Sequence, residues 1–335
     1  MAFGRKRIAL LFGGRGQEHA VSVQSAEYVS GIIDREKYEI IPVFLDTGGG
    51  FSIKRGRKYT PTFPISLGRR RGLYAEGGVI PIDCAIPILH GDFGEDGRIQ
   101  GLLESAGIPY VGADTLCGAV ASDKAFTRAV ASSVGIPIAR GKALSRRATD
   151  GEIIRAAGEL GDRVFIKPTR LGSSIGASPA EGEGQILDAF HRAGEYGCDV
   201  LIEELISPKR EVEIGVLATR DGVLLSPIGE VMCGGFYDFE RKYHAGTRTL
   251  TNAELDRASA TRIEEHASAL VGAIGLRGPA RVDFFLSGGR ILLNEINTMP
   301  GFTRDSLYPR LMRAAGVEPG ELFDILIEDA TECGE

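Results

Sequence analysis

The sequence predicts an α/β protein built from three successive units, and three observations carry that expectation. Apolar runs of strand length alternate with segments whose apolar residues recur at helical spacing. Glycine-rich turns separate them. A chain of 335 residues is also too long for one ordinary core. Residues 7–14, RIALLFGG, read as a buried strand opening onto a glycine turn, and EHAVSVQSAEYVSGII (18–33) reads as the following helix. A second strand, YEIIPVFL (38–45), precedes a stretch without clear pattern from Thr47 to Gly78. Then come the strand DCAIPIL (83–89), a glycine- and acid-rich loop, the helix IQGLLESAG (99–107) with its glycine stop, and the strand IPYVG (108–112). Strand and helix alternating in this way indicate a parallel α/β unit over residues 1–115.

A central unit, 116–204, opens with SDKAFTRAVASSVG (122–135), a helix with Ser122 as its expected cap and Gly135 as its stop. Thr149 and Glu152 have capping-box spacing at the next helix, and the strands RVFIK (163–167) and DVLIEEL (199–205) follow. The last unit, 205–335, holds the strands EVEIGVLA (211–218) and VLLSPIGEV (223–231), then an aromatic and basic loop from Phe236 to Arg248. A long helix is expected to open with a capping box from Thr251 to Glu254. Two strands around SGG (287–289) and a C-terminal helical region complete the chain.

Composition narrows the function classes. The net charge of −6, from 39 basic and 45 acidic residues, argues against a nucleic-acid or membrane surface. The short basic clusters near Arg5, Lys54 and Arg69 read as solvated loop charge. Five scattered cysteines without C-x-x-C spacing indicate neither a disulfide framework nor a zinc site, which fits a cytoplasmic location. The apolar run 8–12 before Gly13 is too short for a signal-peptide core, and no uninterrupted stretch could span a bilayer.

The segment FIKPTRLGSSIG (165–176) ends an apolar run on Lys167 and continues into a glycine and serine turn. Such a turn can aim successive backbone N–H groups at one anion, or it can be a plain hairpin. It is not a P-loop, because G-x-x-x-x-G-K-[ST] occurs nowhere in the chain. A dinucleotide fingerprint fails at GGRGQEH, where His19 stands in place of the third glycine. A calcium loop fails at HGDFGEDG (90–97), with Gly94 at a ligand position and Leu103 where the bidentate glutamate belongs.

RVDFFLSGGRILLNEINTMPG (281–301) sharpens the choice. Glu295 and Asn297, two apart, share a strand face. A three-residue turn over 288–290 would set Asp283 opposite Glu295 and Arg281 opposite Asn297. Carboxylates in such apolar strands would be costly to bury alone, whereas Mg²⁺ takes hard oxygen ligands and shares them with phosphates. An ion pair of Arg281 with Glu295 is the structural alternative.

Taken in order, LFGGRGQEHAVS, LHGDFGEDGRIQGLLESAGIPYVG, SDK, IKPTRLGSSIG, IEE, FYDFERKY, RVDFF and NEINTMPGFTRDSLYP resemble the D-alanine:D-alanine ligases over nearly the whole chain. The resemblance implies the three-domain ATP-grasp architecture, α+β in its ATP-binding part, with ATP and Mg²⁺ (or Mn²⁺) bound between two sheets. It implies that Lys124 and Lys167 neutralise phosphate oxygens and that the backbone near Ser173 and Ser174 caps the transferred group. Asp283, Glu295 and Asn297 would hold the metal. Adenine would lie along Glu203, Glu204, Leu205 and Ile206 near Phe285, with Glu211 on the ribose. Glu18, Ser173 and Tyr243 would bind the ammonium of the first D-amino acid, with His90 beside it. Arg281 and the N–H of Gly301 would hold the acyl phosphate and tetrahedral oxygens. Ser306 and the N–H of Leu307 would take the second carboxylate. Lys242 and Tyr243 would work from a lid that excludes water. The same resemblance implies a homodimer.

This chain departs from the family pattern in TLTNAELD (249–256), where relatives commonly carry a proline-alanine step, and in the charges of Arg304 and Asp305. Both lie toward the acceptor side, so D-serine, or less readily D-lactate, stands as an alternative second substrate. A non-catalytic ATP-binding module would be expected to lack one of the metal or acyl-phosphate residues, and all are present.

Overall fold

The computed structural model of the chain describes residues 4–67, 70–232 and 248–332. Strand β1 (Lys6–Gly13) lies at the heart of the first sheet, paired in parallel with β2 (Tyr38–Leu45) on one side and β8 (Cys84–Ile88) on the other. Both its faces are covered, which is why it reads as an unbroken apolar run rather than an alternating one. Helix α1 (His19–Ile32) follows the glycine turn at the carboxyl end of β1. That end of the sheet also carries His90, immediately past β8.

The stretch 47–78 is not patternless. Its strands β3 (Phe51–Arg55) and β4 (Lys58–Pro61) extend the first sheet in antiparallel fashion. A separate three-stranded sheet contains β5 (Phe63–Leu67), β6 (Arg70–Ala75) and β7 (Gly78–Pro81). These strands are short and rich in polar residues because little of them is covered; Ile53 and Leu73 supply the core contacts. The expected strand 108–112 shrinks to a single bridge between Tyr110 and Ala85.

Helices α2 (Arg98–Ser105), α3 (Thr115–Ser122) and α4 (Lys124–Ser133) lead to the second sheet, of strand order β11-β10-β12-β9. Its members are β9 (Gly141–Leu144), β10 (Arg163–Pro168), β11 (Ser178–Glu181) and β12 (Val200–Glu204), backed by α5 (Asp150–Gly158) and α6 (Gly182–Gly194). Helix α4 is capped by Asp123, whose carboxylate accepts from Ala125 N at 3.0 Å, and not by Ser122, which closes α3. Where two helices abut, an anion at the second one's positive end is the stronger cap. Both limbs of the Thr149–Glu152 capping box form as expected.

The third sheet has the order β15-β14-β13-β16-β17 and consists of β13 (Arg210–Thr219), β14 (Gly222–Met232), β15 (Arg248–Leu250), β16 (Gly278–Ser287) and β17 (Arg290–Asn297). Its long helix α7 (Arg257–Ile274) starts later than the Thr251–Glu254 pattern implies. Asp256 is the cap, accepting from Ser259 N and Oγ at 2.9 and 2.7 Å. One carboxylate taking both donors satisfies the helix end without a box.

The last helices, α8 (Leu307–Ala314) and α9 (Pro319–Glu332), return to the first sheet. Tyr308, Met312, Phe323 and Leu326 share one core with Ile8, Leu10 and Ile86. The Tyr308 hydroxyl donates to Val216 O at 2.9 Å and so ties this core to the third sheet. Gly278 meets Gly112 at the same junction. Its φ is +83°, and a Cβ there would lie 2.7 Å from the Gly112 Cα, so only glycine fits. Gly278→Ala should therefore lower stability by about 2 kcal/mol or more, from the left-handed backbone cost plus the clash. Urea unfolding curves of the two proteins check this.

Candidate active site

The second and third sheets face each other across a cavity of about 480 Å³. Lys167, next to last in β10, and Glu203, in the neighbouring β12, line it from one side; Glu213, Arg281, Asp283 and Glu295 line it from the other. The acids of the third sheet reach it by strand alternation. Glu211 pairs with Phe285 and Glu213 with Asp283, and all four side chains line the cavity. Val212, Ile214 and Val282 point into the core behind.

Asp283 stands opposite Glu295 and Arg281 opposite Asn297, the pairs expected from the sequence, but the chain gets there differently. The turn has two residues, Gly288 and Gly289, both with positive φ, and pairs Ser287 with Arg290. A bulge at Asn294 then inserts one residue. Without it, Leu293 and Glu295 would share a face; with it, Leu293 stays in the core while Glu295 turns to the cavity. The extra side chain is used as well, since Lys167 Nζ donates to Asn294 Oδ1 at 3.4 Å.

Charge is dense and mutually arranged here. Arg281 binds Asp283 in bidentate fashion at 2.8 and 2.7 Å and reaches Glu213 at 2.8 Å, in place of the simple pair with Glu295. Burial opposes its charge, but these two carboxylates prevail and push its pKa well above the ordinary value. Asn297 Nδ2 faces Asp283 Oδ2 at 3.3 Å. Among the described residues no three His, Cys, Asp or Glu side chains form a metal cage. Two carboxylates and an amide are the donor set magnesium takes when phosphates complete its shell.

Lysines approach from the second unit. Lys167 Nζ lies 2.7 Å from Glu203 Oε2, and Lys124 Nζ lies 3.8 Å from Glu295 Oε2 and 2.5 Å from Leu171 O. Burial lowers the pKa of Lys124, with Lys167 adding to the effect and Glu295 opposing it. The glycine and serine turn closes over this end. Ser173 and Ser174 both adopt left-handed backbone (φ 53° and 57°), and Ile175 N bonds back to Gly172 O at 3.1 Å. Consecutive non-glycine residues in that region cost about 1 kcal/mol or more each, strain that clusters at ligand-holding loops. Arg170 Nε bonds Asp123 at 2.8 Å, which ties the turn to the helix carrying Lys124.

The far end of the cavity is apolar and strand-edged. Leu205, Ile206 and Phe285 line it, with Lys209 Nζ 3.7 Å above the Phe285 ring and 2.8 Å from Glu211. Glu203 and Glu204 part ways. Glu203 turns inward, whereas Glu204 binds Arg140 and Arg290, which overcome its burial and pull its pKa down to about 2.

A second cavity, of about 300 Å³, adjoins the first; Ser173, Lys124 and Glu295 line both. Glu18 lines it and accepts from Ser173 Oγ at 2.6 Å. His90 is buried beside it, its Nδ1 3.1 Å from Met299 O and its Nε2 2.9 Å from Ser25 Oγ. Burial depresses the imidazole pKa, but Glu95, 3.9 Å away, reverses the sign and raises it. Burial in turn raises the pKa of Glu95. Ser306 stands at the N-cap position of α8 with its Oγ turned to Thr303 N at 3.0 Å, and a Cβ on Gly301 would lie 2.9 Å from that Oγ, so main chain and hydroxyl share a close space just before Leu307 N. Lys242 and Tyr243 lie outside the described residues.

Sequence reading passed over Arg128, Glu213, Asn294 and Glu95. Arg128 was detectable as the residue one helical turn beyond Lys124, and Glu213 as the strand neighbour of Glu211 on the same face. Asn294 carried no signal short of the bulge itself.

Two family models divide the chain between them: one described as D-ala D-ala ligase N-terminus matches residues 7–113, and one described as D-ala D-ala ligase C-terminus matches 130–328. The chain belongs to the D-alanine:D-alanine ligase family. A D-alanine--D-alanine ligase of Deinococcus radiodurans is 39% identical, the match covering 98% of this chain and 99% of that protein. One from Corynebacterium aurimucosum is 37% identical, with 97% of each covered. Among solved structures, the VanG D-Ala:D-Ser ligase of Enterococcus faecalis superposes with a TM-score of 0.88 at 32% identity, covering 97% of this chain and 99% of that one. The D-alanine-D-alanine ligase of Coxiella burnetii gives 0.89 at 30%, covering 99% and 95%. The D-alanine:D-alanine ligase family consists of ATP-grasp enzymes of the ligase class, and the facing sheets described above are that fold. No helix among the described residues is long and apolar enough to cross a membrane.

Removing the central acid tests this electrostatic arrangement. Glu203→Ala leaves Lys167 and Arg128 buried without their carboxylate and should destabilise the protein by about 3 kcal/mol. Equilibrium denaturation at neutral pH measures it.

Proposed function

We propose that this protein joins two D-alanines into D-alanyl-D-alanine at the expense of ATP, in the cytoplasm, as a step of peptidoglycan precursor synthesis. The observation that carries this reading is the meeting of Lys124, Lys167, the strained serine turn, Asp283 and Glu295 in one cleft, with Asn297 opposite Arg281 on the adjoining cavity. That cleft connects through the Ser173–Glu18 hydrogen bond to a smaller pocket of amino-acid size.

A carboxylate is a poor electrophile and must first become an acyl phosphate. ATP occupies the larger cavity, its adenine at the strand edge 203–206 beside Phe285, its ribose near Glu211, its phosphates between Lys124 and Lys167 under the N–H groups of the 172–176 turn. Asp283, Glu295 and Asn297 would hold Mg²⁺ (or Mn²⁺), which would supply charge neutralisation to the phosphates. Glu18, with Ser173 and Tyr243, takes the ammonium of the first D-alanine, and His90 sits behind it. A carboxylate oxygen of that substrate attacks the γ-phosphorus, the bond from phosphorus to the β–γ bridging oxygen breaks, and ADP is left. The amine of the second D-alanine, its carboxylate held by Ser306 and Leu307 N, attacks the acyl carbon. Arg281 and Gly301 N stabilise the developing oxyanion, the bond to the phosphate oxygen breaks, and the amine gives up a proton. Lys242 and Tyr243 shield the intermediate from water.

The curated relatives favour D-alanine as acceptor. Phosphate release from ATP and Mg²⁺, with D-alanine alone and then with D-serine or D-lactate added, measures acceptor choice when products are weighed by mass spectrometry. D-alanine alone should support turnover and give the dipeptide; no amino-acid-dependent release with any of the three would remove the ligase reading. Lys167→Met should cut turnover by about a thousandfold or more, as loss of a phosphate clamp does, with an unchanged circular dichroism spectrum.

The lowered pKa of Lys124 has a sign that can be checked. The ammonium is lost at a lower pH than for an ordinary lysine, so kcat/KM for ATP should begin to fall on the alkaline side below the usual lysine range. Lys124→Arg should move that alkaline limb upward. A limb at the same pH in both proteins would mean that another group titrates.

A further inference from the structure

One buried cation has no part in the chemistry above. Arg128 lies one turn after Lys124 on the same helix and points along the same face. Its Nη1 contacts Glu203 Oε1, and its Nη2 donates to Ala139 O at 2.6 Å, so the guanidinium is fixed at both ends. The other oxygen of Glu203 holds Lys167 Nζ at 2.7 Å. Arg128, Glu203 and Lys167 are 9%, 6% and 7% exposed. A single carboxylate thus serves two buried cations.

These two cations differ in freedom. Arg128 is a planar fork held by two acceptors; Lys167 is a point charge on a flexible stem, already within 3.4 Å of Asn294 on the bulge beside Glu295. If Lys167 leaves Glu203 for an anion, the carboxylate keeps a buried counter-charge only because Arg128 remains. We propose that Arg128 is a positioning residue that makes the Lys167–Glu203 pair exchangeable: it holds Glu203 while Lys167 moves to the triphosphate. The inference rests on the larger cavity being the ATP site. Arriving phosphate takes over Lys167, and Glu203 stays in place at the base end with one oxygen released for a hydrogen-bond donor on the purine. Without Arg128, Lys167 is the one side chain among the described residues left in an ion pair with Glu203, and nucleotide phosphate must compete with that buried pair.

The test is equilibrium binding of ATP with Mg²⁺ by calorimetry, together with steady-state kinetics, on the full-length protein. Arg128→Met and Arg128→Gln should weaken ATP binding and raise KM for ATP at least tenfold, while KM for D-alanine stays within about twofold. Arg128→Lys, which keeps a cation, should stay within about threefold for ATP. The decisive comparison is adenosine, which has no phosphate for Lys167 to meet: Arg128→Gln should leave adenosine affinity within about threefold of the unaltered protein while ATP affinity falls, a selectivity that a merely structural arginine would not give. Should both neutral variants fail to fold, Arg128→Lys decides the matter, and a loss of ATP affinity well beyond threefold in it overturns the proposal. Unchanged ATP affinity in Arg128→Gln, or an equal loss for adenosine and ATP, also overturns it. Absence of ATP binding by the unaltered protein would instead remove the nucleotide reading and this inference with it.

Discussion

Charge pairing among mostly buried side chains is the constraint on which the cleft depends. Asp283 and Glu213 are answered by Arg281, Glu203 by Arg128 and Lys167, and Glu295 faces Lys124. Ions this deeply placed are costly unless paired and hydrogen-bonded, so each must find its counter-charge within the protein. The pairing is not confined to one sheet. Lys124 and Lys167 come from the helix and strand on one side and meet Glu295 and Asn294 of β17 on the other, so electrostatic attraction itself helps set the spacing of the two sheets. The site is therefore built as a balanced lattice of charges.

Strand geometry delivers those charges. In β13 and β16 a period of two sends Glu211, Glu213, Arg281, Asp283 and Phe285 to the cleft and the intervening aliphatics to the core, which makes this part readable from the sequence. Strand β17 obeys the same rule on either side of Asn294 and breaks it there. The right cross-strand partners were expected from a three-residue turn, yet they arise from a two-residue turn and a bulge. Both routes add one residue to the same strand, so the pairs agree while the local backbone does not. Alternation cannot reveal where an extra residue sits, because only the buried or exposed fate of Leu293 and Asn294 distinguishes the positions.

Elsewhere the limits of sequence reading have different causes. Ser122 and Thr251 are sound caps in isolation, but Asp123 and Asp256 lie next to the true helix starts and offer an anion to the positive end. The strands between Phe51 and Pro81 escape notice because an antiparallel sheet edge and a small three-stranded sheet, each little covered, need few apolar residues. Arg128 looks like any helical arginine until Glu203, 75 positions away, is placed beside it. The candidate phosphate and metal groups were visible since they stand in short, chemically odd clusters. Residues that steady them from behind are scattered, and only the fold collects them.

The return of the final helices to the opening sheet bears on how the polypeptide is made. Ile8, Leu10 and Ile86 lie in a core completed by Phe323 and Leu326, and Lys6 and Lys37 are tied to Thr331 and Asp324. During synthesis the earliest strands emerge long before those partners exist, and one apolar flank of the nascent sheet stays uncovered until the carboxyl-terminal segment leaves the ribosome. Contacts this distant in sequence delay completion of the first core. Loss of α8 and α9 thus strips the first sheet of much of its cover while sparing the side chains that line the cleft between the second and third sheets.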